Sequence, residues 1–310
     1  MEEILCSIHN YSKFSGYSCT FYEMAQSALS CGIDAVFTSD KNIYPDGHNQ
    51  FFYRDGKRVL FVCGEELFDP LDNEKNPYLS LGIEREQFNR RPGDLQNEIR
   101  IGFPGQTWDK QPRHIELLNA EELLRQGIIT GGKKFRSNIR LFDEIQQNGQ
   151  RIVAISGTCS LDHTESYNYQ ELFSTVCNHI YLDEKPSGDL IHDKLSILQG
   201  IKTGRLYIAI DGLADASGFR FSAEGNNREA VAWPGDVIYL KNSITLKINV
   251  PDFCTCRLIR NGAVIKEWER CKQVPYTIYE PGNYRVECAL TIRKNLYDWI
   301  FSNPIYVVKG

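Results

Sequence analysis

Along the first two thirds of the chain, short apolar runs alternate with stretches of helical spacing. Ile4-Leu5-Cys6-Ser7-Ile8 reads as a buried strand, and Ile33-Asp34-Ala35-Val36-Phe37-Thr38 as a second. Between them, Thr20-Phe21-Tyr22-Glu23 is a capping-box pattern that opens a helix, because Thr20 and Glu23 can each satisfy an amide left over in the first turn. Gly32 closes that helix. Residues 58–63 predict a third strand ending at Gly64, and Ile99-Arg100-Ile101 a short fourth. Asn119-Ala120-Glu121-Glu122 starts another helix that stops at Gly127, and helical spacing over 139–147 ends near Gly149. A strand follows at 151–155, then helices over 169–177 and 189–203. Apolar strands between amphipathic helices predict a parallel α/β sheet or barrel.

After about residue 205 the texture changes. Strand-like stretches at 245–250, 257–260 and 284–290 are separated by turn signals at Pro234-Gly235-Asp236, Asn261-Gly262 and Pro281-Gly282-Asn283. Asn261-Gly262 between apolar runs predicts a tight hairpin, since both residues tolerate positive φ. The expected architecture is therefore an α/β unit over 1–204, followed by a small antiparallel β-sandwich over 205–310.

Composition adds exclusions. The 310 residues are 42% hydrophobic and 24% charged, enough apolar material for a substantial core. A formal charge of −5 with no basic block argues against a nucleic-acid partner. The start, Met1-Glu2-Glu3-Ile4-Leu5-Cys6, has no long apolar segment of a secretory leader, and no run approaches the length of a membrane span. A cytoplasmic protein without a membrane partner is expected. The 10 cysteines show no C-x-x-C spacing, and Cys254-Thr255-Cys256 is too tight for a zinc knuckle. They are expected to be reduced thiols acting as small hydrophobes.

In parallel α/β folds the chemistry gathers where the strands end. The residues at those ends are His9 and Tyr11, Asp40 and Lys41, Glu66, Phe103 and Pro104, and Gly157 through Leu161. These positions resemble the motifs of the PHP family, named for polymerase and histidinol phosphatase, whose members fold as a distorted α/β barrel. Ile8-His9-Asn10-Tyr11-Ser12 resembles its Leu-His-x-His-Thr/Ser, and Ser39-Asp40-Lys41-Asn42 its Thr-Asp-His-Asn. Gly64-Glu65-Glu66 is similar to Gly-x-Glu, Gly102-Phe103-Pro104 to Ala-His-Pro, and Gly157-Thr158-Cys159-Ser160-Leu161 to Gly-Ser-Asp-Ala-His. The segment from Trp299 to Val307, with Gly200 to Arg205 and Pro281 to Arg285, resembles the family's carbaryl-hydrolase-like metallohydrolase branch.

The resemblance implies a site for two or three divalent metals that hydrolyses phosphoesters with metal-activated water. Carried over residue by residue, His9 and Glu66 are metal ligands, while Tyr11, Lys41, Phe103, Cys159 and Leu161 replace the others. Two ligands fall short of the three that a catalytic metal needs, and an ammonium at Lys41 repels a divalent cation. The leading expectation is thus a PHP-type protein with largely lost metal ligands and no cofactor, acting as a non-catalytic binding or scaffolding protein. Its partner would be another protein or a small anion held at Lys41, which also replaces lost metal charge beside Glu66 or Asp40. The alternative is a phosphoesterase or esterase with one Zn, Mn or Fe held by His9, Glu66, Cys159 and His163, and with Glu66 or Asp40 as base. His48 is expected to be solvated, and His114, His179 and His192 to be structural or surface residues.

Overall fold

The computed structural model describes residues 1–68, 77–84, 98–106, 112–127, 132–159, 167–225 and 230–310. Strand β1 (Glu2–Asn10) leads through a single 3-10 turn to helix α1 (Phe21–Cys31), then to β2 (Ala35–Lys41), β3 (Gln50–Arg54) and β4 (Lys57–Leu67). Next come β5 (Tyr78–Leu81), β6 (Ile99–Gly102), β7 (His114–Asn119), α2 (Ala120–Gln126), α3 (Gly132–Gln147) and β8 (Val153–Gly157). They are followed by α4 (Tyr169–Phe173), β9 (Cys177–Leu182), α5 (Leu190–Thr203) and β10 (Leu206–Ala209). From there the described residues form only strands: β11 (Arg220–Gly225), β12 (Val231–Ala232), β13 (Val237–Leu240) and β14 (Ile244–Arg260). The last are β15 (Ala263–Ile278), β16 (Gly282–Ile292), β17 (Asn295–Ser302) and β18 (Ile305–Lys309). Among the described residues no helix is long and apolar enough to cross a membrane.

Local signals act as their chemistry requires. Both halves of the Thr20–Glu23 capping box form, and Gly32 takes φ 74° past the end of α1. Asn119 and Asp189 cap α2 and α5 with their side chains. Asn261 and Gly262 both adopt positive φ and join β14 to β15. The helix expected over 169–177 is cut short at Phe173. There the Ser174 and Thr175 hydroxyls turn back onto the carbonyls of Gln170 and Glu171, and the apolar run from Cys177 becomes β9. Gly64 does not end a strand but lies inside β4. A Cβ there would come within 2.7 Å of the Ser80 carbonyl oxygen, so glycine is what lets β5 approach.

The sheet is mixed rather than wholly parallel. Strands β1–β2–β4 and β6–β7–β8 are parallel sets, joined by the antiparallel β5. This sheet curls until the amides of Thr158 and Cys159, just past β8, donate to the carbonyls of Ile8 and His9. Beside that closure the Asn178 side chain bonds both the amide and the carbonyl of Ser156, and Asn303 does the same for Ala154. Two side-chain amides thus stand in for backbone partners that β8 lacks on this edge.

One core lies within the curl, built from alternate residues such as Cys6, Ile8, Phe37 and Val62, with Ile197 and Ile201 of α5. A second packs α1 to α4 on the outer face. Helix α5 sits where β4, β7 and β8 begin, with the His114 Nε2 3.1 Å from the Ile201 carbonyl. Burial holds His114 neutral, bringing it down to about 4. The opposite end is left for the site.

The β-rich part is continuous with this sheet. β9 pairs with β1 and β10, β10 with β17, and β17 with β16. β14 pairs β11 with its first half and β16 with its second, while β15 follows its other edge. Arg285 and Arg136 tie β16 and β17 to α3 through Asp143, Glu287 and Asp298.

A charged network joins the two parts at the start of β1. His179 lies fully buried between Glu3 (Nδ1 to Oε1, 2.8 Å) and Asp211 (Nε2 to Oδ2, 3.0 Å), stacked on Tyr207. Arg220 and the Tyr207 hydroxyl also reach Glu3. Burial opposes a charged His179, but hydrogen bonds with Asp211 and Glu3 outweigh it and lift the group from 6.5 to about 9. Burial also opposes a charged Glu3, yet His179, Tyr207 and Arg220 bring it from 4.5 to about 2. The His179 contribution is complete below pH 6.5 and is lost as pH rises through about 9, whereas that of Glu3 is present above 4.5 and is lost as pH falls through about 2. The thermal midpoint of the full chain should therefore fall as pH rises from about 7 to about 10. In His179→Gln that slope should be largely gone; parallel profiles for the two proteins would contradict this account.

Candidate functional site

The site is built where the parallel strands end. Three steps along β1, from Ser7 to Asn10, match two steps along β2, from Val36 to Thr38, so β1 carries one extra residue. His9 absorbs it with a φ of 67°, a left-handed conformation uncommon outside glycine. Strained, buried residues of this kind cluster at functional sites.

Around His9 four side chains form a continuous chain of hydrogen bonds. Its Nδ1 lies 2.7 Å from Glu116 Oε2, and its Nε2 lies 2.8 Å from the Tyr11 hydroxyl. Tyr11 donates in turn to Glu66 Oε2 at 2.8 Å. Because the phenol proton goes to Glu66, both nitrogens of His9 act as donors when the imidazole is protonated. All four side chains are buried. Burial opposes the His9 charge, but Glu116 and then Glu66 outweigh it, so the group is raised above 6.5. Burial pushes the Glu66 carboxyl up, against the pull of His9, Tyr11 and Lys41. Burial and the neighbouring Glu66 push the Tyr11 phenol well up, so it stays protonated.

The surroundings fit this chain closely. A Cβ on Gly157 would fall 2.1 Å from Glu116 Oε2, so only glycine leaves the carboxylate room to reach His9. The Phe103 ring packs 5.4 Å from the His9 ring, and Tyr17 stacks on Tyr11 at 5.1 Å. The Lys41 ammonium lies 5.0 Å from the centre of the Tyr11 ring and 6.0 Å from that of Phe68. His9 and Lys41 are the basic groups set beside the two carboxylates.

His9, Glu66 and Lys41 are therefore brought together. Asp40 is placed apart from them. It accepts from the Ser12 amide at 2.7 Å, the Ser12 hydroxyl at 2.8 Å and the Ser15 hydroxyl at 2.7 Å. Burial nonetheless pushes its carboxyl up. Its work is to hold the turn after β1, which fixes Tyr11. Cys159 is buried with its Sγ 3.4 Å from the Tyr169 hydroxyl, and that hydroxyl donates to the Tyr11 carbonyl at 2.6 Å. Leu161, Asp162 and His163 lie outside the described residues.

His48 is half-buried rather than fully solvated, edge-on to Phe14 and Phe21. His114 is structural, and His192 lies at the surface. Sequence reasoning missed Glu116. The signal was an acid inside the apolar run His114-Ile115-Glu116-Leu117-Leu118, since a carboxylate on a buried strand needs a partner.

A metal between His9 and Glu66 would sit about 2.0–2.2 Å from each ligand atom. The Tyr11 oxygen holds that place, 2.8 Å from both. Of the other strand-end positions, Phe103 offers no lone pair, Lys41 brings positive charge and Cys159 faces Tyr169. As arranged around His9 and Glu66, the described residues do not fit a catalytic metal centre.

No family model matches the chain, and no curated protein does. Among solved structures, it is similar to a two-domain protein from Bacteroides vulgatus containing a predicted PHP-like metal-dependent phosphoesterase. The two share 11% identity over 97% of this chain and 95% of that one, with a TM-score of 0.47.

Removing the Tyr11 hydroxyl would leave His9 Nε2 and Glu66 buried with one bond fewer. Tyr11→Phe should cost about 1–3 kcal/mol of stability, measured by urea unfolding of the full chain. An unchanged midpoint would mean that the hydroxyl does not link the two.

Proposed function

We propose that this chain is a PHP-type α/β protein in which a hydrogen-bonded chain of side chains has replaced the metal centre, and that it works by binding rather than by hydrolysis. In this reading residues 1–204 form the PHP-like unit and 205–310 its β-sandwich partner. The observation that carries it is the Tyr11 hydroxyl, 2.8 Å from both His9 and Glu66, where a metal would have to stand. The Lys41 ammonium beside the Tyr11 ring, where a cation already stands, supports it further. A metal-bound water, the family's nucleophile, has no place in such a site.

The half-buried Lys41 brings a cation to this end of the sheet, 5.0 Å from the Tyr11 ring centre, and a small anionic ligand or an acidic group on a protein partner is the chemistry it favours. A mononuclear hydrolase would require Tyr11 to leave both partners and strand buried charges, which is costly.

The test is a comparison of wild type, His9→Ala and the double variant Tyr11→His/Lys41→His. Each is incubated with Zn, Mn or Fe salts, then assayed for bound metal and for hydrolysis of p-nitrophenyl phosphate. The wild type should bind no more metal than His9→Ala and should not turn over, whereas the double variant should gain metal. Wild-type turnover lost in Glu66→Gln, together with a metal lost in His9→Ala, would overturn the reading.

A further inference from the structure

Four cysteines that the site above does not use meet in the β-rich part. Cys254 and Cys256 lie two apart on β14, the spacing that puts side chains on one face of a strand. Cys271 of β15 stands opposite Cys254, and Cys288 of β16 opposite Cys256. The Sγ atoms of Cys254 and Cys256 are 3.7 Å apart, and those of Cys256 and Cys288 are 3.4 Å apart. Cys271 Sγ lies within 4.8 Å of the sulfurs of both Cys254 and Cys256. Thiolates around a tetrahedral zinc, with Zn–S near 2.3 Å, stand about 3.8 Å from one another.

The backbone is bent to make this meeting possible. From Cys254 to Cys256 is two steps on β14, while the partners from Cys271 back to Trp268 span three, so β15 carries an extra residue beside Cys271. Arg270, within that bulge, has a φ of 50°. The β16–β17 register also slips, between Cys288 and Ala289. Bulges re-aim side chains, and a left-handed arginine is a conformation the surroundings must hold in place. Cysteines that merely filled a core would need neither device. Cys254, Cys256 and Cys288 are buried, and the half-buried Cys271 leaves a way in.

We propose that Cys254, Cys256 and Cys271, whose sulfurs lie within 4.8 Å of one another, hold a zinc that draws in Cys288 from beside Cys256 as its fourth thiolate and so pins β15, β14 and β16 together. Four soft sulfur donors select zinc over hard cations such as magnesium or calcium. With four protein ligands no position is left for water, so the metal is structural and its binding is coupled to folding. The site is independent of His9 and Glu66, and stands or falls apart from the binding reading.

The experiment uses the full chain, expressed without a metal-affinity tag and purified under reducing conditions without chelator. Elemental analysis should find one zinc per chain, lost in Cys271→Ser and Cys256→Ser but retained in His9→Ala. Replacement by cobalt should give the thiolate charge-transfer and tetrahedral visible bands, absent from the cysteine variants. Should those variants fail to fold, the wild type still decides, because a strong chelator should lower its thermal midpoint. The proposal is overturned if the reduced chain offered zinc keeps none and is indifferent to chelator. It is equally overturned if the zinc is lost in His9→Ala but not in Cys271→Ser, or if intact mass without reductant shows these sulfurs bonded to one another.

Discussion

Two carboxylates buried where the parallel strands end, Glu66 and Glu116, must be neutralised, and the local structure is arranged around that need. A bound cation is one solution to such a demand. The imidazole of His9, the phenol of Tyr11 and the ammonium of Lys41 gather around them here. Glu116 reaches His9 only because Gly157 has no side chain, and His9 faces Tyr11 through a strained backbone at a break in register. Asp40 then holds the turn that keeps Tyr11 in place. Buried ion pairs of this kind contribute little net stability, but each member becomes costly to remove alone.

The same strand carries a second buried ionic cluster at its other end. Glu3 and His9 are six residues apart on β1, about 20 Å at strand rise. The Glu3–His179–Asp211 group joins β1, β9 and the segment after β10, with Arg220 of β11 added from the β-rich part. Together with the amides of Asn178 and Asn303, it locks the C-terminal strands onto the curled sheet. Apolar packing alone would leave the edge of β8 with unpaired backbone groups there, which is why asparagine, able to donate and accept at once, occupies both positions.

Much of the scaffold follows from local chemistry. The capping box at Thr20 and Glu23, the glycine after α1 and the Asn261-Gly262 turn need only neighbouring residues, so they are legible directly. The strand-end positions of His9, Lys41 and Glu66 are equally legible, because a strand followed by a polar residue fixes which end that residue occupies. The early end of α4 is not, because Ser174 and Thr175 have no helical or strand periodicity to mark the switch.

What the sequence could not decide are the encounters between distant segments. Glu116 meets His9 across 107 positions, and Cys288 meets Cys256 across 32. Local spacing determined most of the elements, since caps, turns and apolar runs are properties of residue type and local order. Only the folded sheet decided that Tyr11 bridges His9 and Glu66, that Asp40 braces a turn, and that four scattered cysteines converge. The reason is physical: register and bulges set which side chains face one another, and those are fixed by pairing between strands that no local stretch of sequence contains.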